Sequence, residues 1–186
     1  MICRRVVVAA PLALLTAGLG RTGTWVIERE GSSIRLSLGA FGVRSSGRFE
    51  SWSGQVAFDP TRPAATRATV VVQTASLRLS PAVATDRALG PGFLDAERHP
   101  TIRLELSSLT PLGGERWTAR ADLTLRGVTR SITFPADLRV DGDRAQMTGG
   151  FDVDRAAFGI GTSGPWNRAV SRQVNVQVSL TARRAA

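Results

Sequence analysis

The sequence predicts an all-β fold: an antiparallel closed barrel of about eight strands, with a short helical crossing or lid. Three observations predict it. Apolar side chains recur with a period of two from Trp25 to Leu180, and Gly, Pro and Asp clusters punctuate the runs. One stretch, Ser80 to Pro100, drops that period for short helical turns.

The chain opens with Arg4 and Arg5 ahead of an apolar run, Val6 to Leu19, which ends among small residues. This is the pattern of a secretory signal, and the run is shorter than the roughly 20 residues of a membrane-spanning helix. Residues 1–23 are expected to be a signal peptide or N-terminal anchor, and residues 24–186 one domain, periplasmic or secreted, with no integral membrane segment once the signal is removed. The only cysteine, Cys3, would leave with the signal. Disulfides would then be absent, and stability would rest on the core and the backbone ladder.

Strand signals follow in order. Trp25 and Ile27, then Ile34, Leu36 and Leu38, alternate about Glu30-Gly31-Ser32, which is expected to be a reversal. Val56 and Phe58 run into Asp59-Pro60; Val70 and Val72 come next. After the crossing, whose expected anchors are Leu89, Phe93 and Leu94, come Ile102, Leu104 and Leu106, ended by Gly113-Gly114. Leu123 and Leu125 meet Ile132 and Phe134 across Arg126-Gly127, and Phe151 and Val153 follow Asp141-Gly142-Asp143. Val174, Val176, Val178 and Leu180 close the series. Strands with one apolar face can bury it by curling into a barrel, and a barrel of this size holds one apolar ligand when its interior residues do not fill it.

Charge and chemistry exclude much. The formal charge is +9, and every cation is arginine; without Arg4, Arg5 and Arg21, 21 of the 24 arginines remain against 15 acids, a net +6. These arginines are scattered, with no dense basic run interleaved with aromatics, which argues against nucleic acid as a partner. His99 is the lone histidine, so a histidine-rich metal site cannot be assembled, and in a turn between Arg98 and Pro100 with no visible nucleophile or orienting partner it reads as structural and not as a triad member. Asp95 and Glu97 could be paired carboxylates for acid/base work, but Glu97 with Arg98 reads rather as a solvated or lid-pinning pair, and Asp152 and Asp154 read as surface charge on one strand face. Arg126, Arg130, Arg168 and Arg172 lie in or beside turns, where a guanidinium can meet a pyrophosphate or carboxylate head group. Trp25 and Phe49 are the aromatics placed best for a cavity, and Trp166 follows Gly164-Pro165 in a loop that could gate it.

Several ordered strings resemble the YceI family of exported, lipocalin-like polyisoprenoid-binding proteins. They are W-V-I-E-R-E-G-S-S-I-R-L-S-L (Trp25 to Leu38), similar to a first hairpin, and G-R-F-E-S-W-S-G-Q-V-A-F-D-P (Gly47 to Pro60). A-T-D-R-A-L-G-P-G-F-L-D-A-E-R-H-P-T-I (Ala84 to Ile102) resembles the family's helical crossing, and L-T-L-R-G-V-T-R (Leu123 to Arg130) is the most family-specific. R-A-A-F-G-I (Arg155 to Ile160) and V-S-R-Q-V-N-V-Q-V-S-L (Val170 to Leu180) resemble its last two elements. The first hairpin of the family commonly carries His-Ser where this chain has Ser32-Ser33, a departure that bears on the head group.

The resemblance implies an elongated barrel whose lumen takes an isoprenoid or fatty-acyl-type lipid, with no cofactor, no catalytic residues and no metal. Alternation and resemblance together nominate Trp25, Ile27, Ile34, Leu36, Phe49, Phe58, Val72, Leu89, Phe93, Leu104, Leu123, Leu125, Phe134, Phe151, Phe158 and Val176 as ligand-binding residues. Arg126 and Arg130 are the head-group candidates. The expected function is non-enzymatic binding and transport or storage of a polyisoprenoid; the partner list leaves room for a homodimer. The alternative is a filled barrel serving as an envelope stress or interaction protein.

Overall fold

The structure is a computed structural model and describes residues 23–59, 62–164 and 166–185. All of the expected signal segment except Gly23 lies outside the described residues, as does the Trp166 side chain.

Ten strands occupy eight positions around a closed antiparallel barrel, as the alternation predicted. They are β1 (Gly23–Ala40), β2 (Val43–Phe49), β3 (Trp52–Phe58), β4 (Arg67–Gln73), β5 (Leu77–Ser80), β6 (Thr101–Gly113), β7 (Arg116–Leu125), β8 (Val128–Asp141), β9 (Arg144–Asp154) and β10 (Gln173–Arg184). The sheet runs β10-β9-β8-β7-β6-β4-β3-β1-β2-β5, and pairing of β10 with β1 closes it. β2 and β3 are halves of one broken strand: β3 pairs with the start of β1 through Gly23↔Phe58, and β2 with its end through Ala40↔Val43. β4 and β5 are likewise halves, lying against β3 and β2. β6 pairs only with the β4 half and with β7. Helix α1 (Val83–Leu89) packs at β5, where Leu79 N–H donates to Thr85 Oγ1 at 3.0 Å.

The reversal expected at Glu30-Gly31-Ser32 is instead a bulge within one long strand. Gly31 has φ +79°, and the register against β10 slips between Glu28 and Ser33. The Ser32 hydroxyl accepts from Thr181 N–H at 2.9 Å, so the extra residues are tied to the neighbouring strand and the chain does not fold back. A bulge turns the inward set from odd to even residues, so Trp25 and Ile34 both face the core. A second bulge, between Leu106 and Ser108, carries Leu109 to the interior, where it is 1% exposed.

The two ends of the barrel differ. At the end bearing both termini of the described chain, Trp25, Phe58, Ala145 and Ala182 form a packed cluster, with the Trp25 and Phe58 rings edge-on at 6.2 Å. At the other end gather the β1–β2 hairpin tip, α1, the crossing to Pro100, the Arg126-Gly127 turn and the connection from β9 to β10. That connection holds a 3-10 turn, Arg155–Phe158, and a short helix, α2 (Trp166–Ala169).

Candidate functional site: an apolar lumen open at one end

A cavity of about 540 Å³ runs from the middle of the barrel to this second end. Small residues make the room. Ala68 and Gly149 stand on its wall, and Gly149 lets the Phe134 ring lie against β9: a Cβ there would meet that ring at 3.1 Å. Phe134 and Phe151 stack obliquely at 5.0 Å, and Leu104 packs against three of the four buried clusters. Among the described residues lining the cavity, only Ser45, Arg87 and Arg155 carry polar side chains.

The wall reads directly from strand parity. Ile34, Leu36, Leu38 and Ala40 of β1 stand beside Val174, Val176, Val178 and Leu180 of the paired strand β10 on the lumen wall. The seven residues from Ile34 to Ala40 span six steps of about 3.3 Å, so the lined run of β1 is roughly 20 Å long.

Eleven of the residues nominated from the sequence stand on this wall: Ile34, Leu36, Phe49, Val72, Phe93, Leu104, Leu123, Leu125, Phe134, Phe151 and Val176. Five do not. Trp25 and Phe58 belong to the plug at the closed end, because parity points a residue inward without saying whether the barrel is filled at that level. Ile27 lies across Gly54, whose absent Cβ would sit 2.5 Å from its Cδ1. Phe158 is packed in the cluster with Leu123, Leu125, Val153 and Ile160. Leu89 is at the end of α1 on the side away from the lumen, while Val83, Ala84, Arg87 and Ala88 of that helix face it.

Neither head-group candidate reaches the lumen. Arg126 donates to the carbonyls of Gly159 and Pro91, the latter at 2.9 Å, and Arg130 donates to Ala157 O at 3.3 Å. Arg126 thus holds both the crossing and the end of the 3-10 turn against the β7–β8 hairpin, and Arg130 holds the 3-10 turn. Arg172 is engaged by Asp154 at 2.6 Å; that hydrogen bond holds the Asp154 carboxyl below the usual carboxylate range and raises the arginine. Asp152 accepts from Asn175 at 2.9 Å. The lid's ion pair is Asp95–Arg98, at 3.8 Å, in place of the expected Glu97–Arg98.

Arg155 is the polar residue that sequence reasoning missed. It is 3% exposed, and all five of its N–H groups donate to backbone carbonyls: Ile160, Gly161, Asn167, Val170 and Ser171, at 2.7 to 3.1 Å. Burial pushes its pKa down. It ties the 3-10 turn to α2 and the start of β10, and so shapes the open end. Its only sequence signal is an arginine opening R-A-A-F-G-I, indistinguishable there from surface charge. The hairpin-tip residues Phe41 and Val43 were also missed, since alternation stops at Gly39. The face of α1 was legible as the spacing i, i+1, i+4, i+5 within Pro81 to Leu89.

His99 lies across Gly127, whose absent Cβ would sit 3.3 Å from its Cε1. Among the described residues no three His, Cys, Asp or Glu side chains come together as a metal site.

Comparison with known proteins agrees with this architecture. The UPF0312 protein of Pseudomonas savastanoi pv. phaseolicola is 27% identical over 174 residues, which cover 89% of this chain and 91% of that protein. The UPF0312 protein of Azotobacter vinelandii is 27% identical over 175 residues, with the same coverage. Burkholderia cenocepacia BcnA superposes with a TM-score of 0.78 at 25% identity, covering 83% of this chain and 98% of its own. A polyisoprenoid binding domain from Saccharophagus degradans, implicated in plant cell wall breakdown, gives 0.70 at 17% identity, covering 87% and 98%. The YceI-like domain family matches residues 25–182, and the chain belongs to that family.

Proposed function

We propose that this protein binds a polyisoprenoid or similar long-chain lipid in its lumen, without chemistry of its own, and carries or stores it in the periplasm or outside the cell. One observation carries the reading: a cavity of about 540 Å³, walled almost wholly by aliphatic and aromatic side chains and open at one end. That volume lies in the range of small-molecule sites, and each methylene moved from water into such a lumen gains about 0.8 kcal/mol. An unfilled interior speaks against the alternative of a solid barrel that acts only through its surface. The polyisoprenoid-binding neighbour and the signal-like N-terminus support the ligand class and the location.

The polar end of such a ligand would lie at the open end, near Arg87 and Ser45, the polar wall residues there besides the fully engaged Arg155. The test is native mass spectrometry of the protein purified without detergent, alone and after incubation with prenols of graded length. A one-to-one complex is expected with wild type, and none with Leu104→Trp, whose indole would enter the lumen from the residue shared by three core clusters. A wild-type protein that is empty as purified and takes up no prenol refutes the reading.

A further inference from the structure

The exposed apolar side chains fall into two groups. Phe41, Val43 and Val83 are 66%, 62% and 79% exposed, and all three also line the lumen. Val26, Leu112 and Val140 are exposed as well, but none of them touches the lumen. The first group is a rim: side chains continuous with an apolar interior on one side and standing in water on the other. Its parts come together because the hairpin tip carries Phe41 and Val43, while β5, paired to β2, delivers the chain into α1 and Val83.

The rim is built to stand out. Phe41 has φ +51°, a conformation uncommon for an aromatic residue, and its N–H donates to Ala169 O at 2.8 Å. Arginines surround it. Arg44 follows Val43 and is exposed; Arg87 lies one turn beyond Val83 on the same lumen-facing side of α1; Arg168 is exposed and adjoins Ala169, which accepts from Phe41. Asp86 is the acid that shares α1 with Arg87.

We propose that this open end docks on an anionic phospholipid bilayer. Phe41, Val43 and Val83 enter the interfacial layer, and Arg44, Arg87 and Arg168 meet lipid phosphates. Apolar tips ringed by cations match such a surface, where burial of the tips and attraction of the cations add. The lumen mouth would then face hydrocarbon, and a cargo chain would pass between two apolar media without crossing water. The cargo part rests on the lipid-binding reading above; the docking does not.

Vesicle flotation of cargo-free protein tests it, with phosphatidylethanolamine–phosphatidylglycerol vesicles against phosphatidylcholine alone. Wild type is expected to float with the anionic vesicles. The combined variant Phe41→Asn, Val43→Ser, Val83→Ser should lose at least tenfold in partition coefficient; Asn is chosen because it tolerates the left-handed backbone at 41. Arg44→Gln with Arg168→Gln should remove the preference for the anionic surface. Unfolding midpoints confirm that each variant is folded. Wild type that floats with neither vesicle, floats equally with both, or floats no better than the folded triple variant overturns the proposal. Leu104→Trp separates the two readings, since Leu104 belongs to β6 and is not one of the exposed rim residues: it should float like wild type while taking up no prenol. Flotation by a wild type that takes up no prenol would sink the cargo reading and leave docking standing; uptake without flotation would do the reverse.

Discussion

Arg155→Met is the perturbation that most directly tests how the open end is held. The arginine is buried, and its five donors reach five carbonyls on three segments: the turn at Ile160 and Gly161, α2 at Asn167, and Val170 and Ser171 ahead of β10. A hydrogen bond from a charged donor contributes about 1.5–3 kcal/mol net, so a simple sum over five would be about 8–15 kcal/mol. That sum is an upper bound, because the bonds act as one unit, the buried charge itself carries a desolvation cost, and carbonyls at an open end can take water. A loss of about 3–4 kcal/mol is the expected outcome, equivalent to roughly 6–16 °C in Tm for a domain of this size. The assay is urea unfolding followed by tryptophan fluorescence, with the midpoint and slope compared between variants. Arg155→Lys should recover less than half of the loss, since an ammonium has three donors and no fork to span three segments. A Met variant within about 1 kcal/mol of wild type would refute the argument that these five bonds organise the open end.

Two further outcomes follow from the geometry. Leu109→Ala removes a residue that is 1% exposed and not part of the lumen wall; it should cost about 2–5 kcal/mol of stability while leaving prenol affinity measured by native mass spectrometry unchanged. Asp154 has its carboxyl pKa depressed by Arg172, so its contribution is present above the unfolded-state value and fades as pH falls through the lower folded value. Asp154→Asn should therefore flatten the acid limb of the stability–pH curve below about pH 4 and weaken its salt dependence, read from urea midpoints across pH.

Much of the fold was legible because a barrel strand obeys a short-range rule. Period-two apolar runs placed the strands, and Gly-containing clusters at Gly113, Gly127 and Gly142 marked true hairpins, each with positive φ. Gly31 looks identical in sequence and makes a bulge instead. Whether a glycine reverses the chain or only kinks it depends on what the flanking strand pairs with, here β10 some 150 residues away. The same limit explains the site. Alternation nominated inward positions correctly for most of the wall, but Trp25 and Phe58 are inward too and form a plug.

From the sequence alone came the class of fold, the apolar character of the interior, the helical crossing and the family, each carried by local periodicity or by contiguous strings. Tertiary structure alone decided where the interior is filled and where it is empty, since that depends on side-chain volumes from facing strands at one level of the barrel. It also decided the roles of the arginines. Arg126, Arg130 and Arg155 are alike in sequence, and only the positions of distant carbonyls make the first a brace of the crossing, the second a brace of the 3-10 turn and the third the tie that shapes the open end.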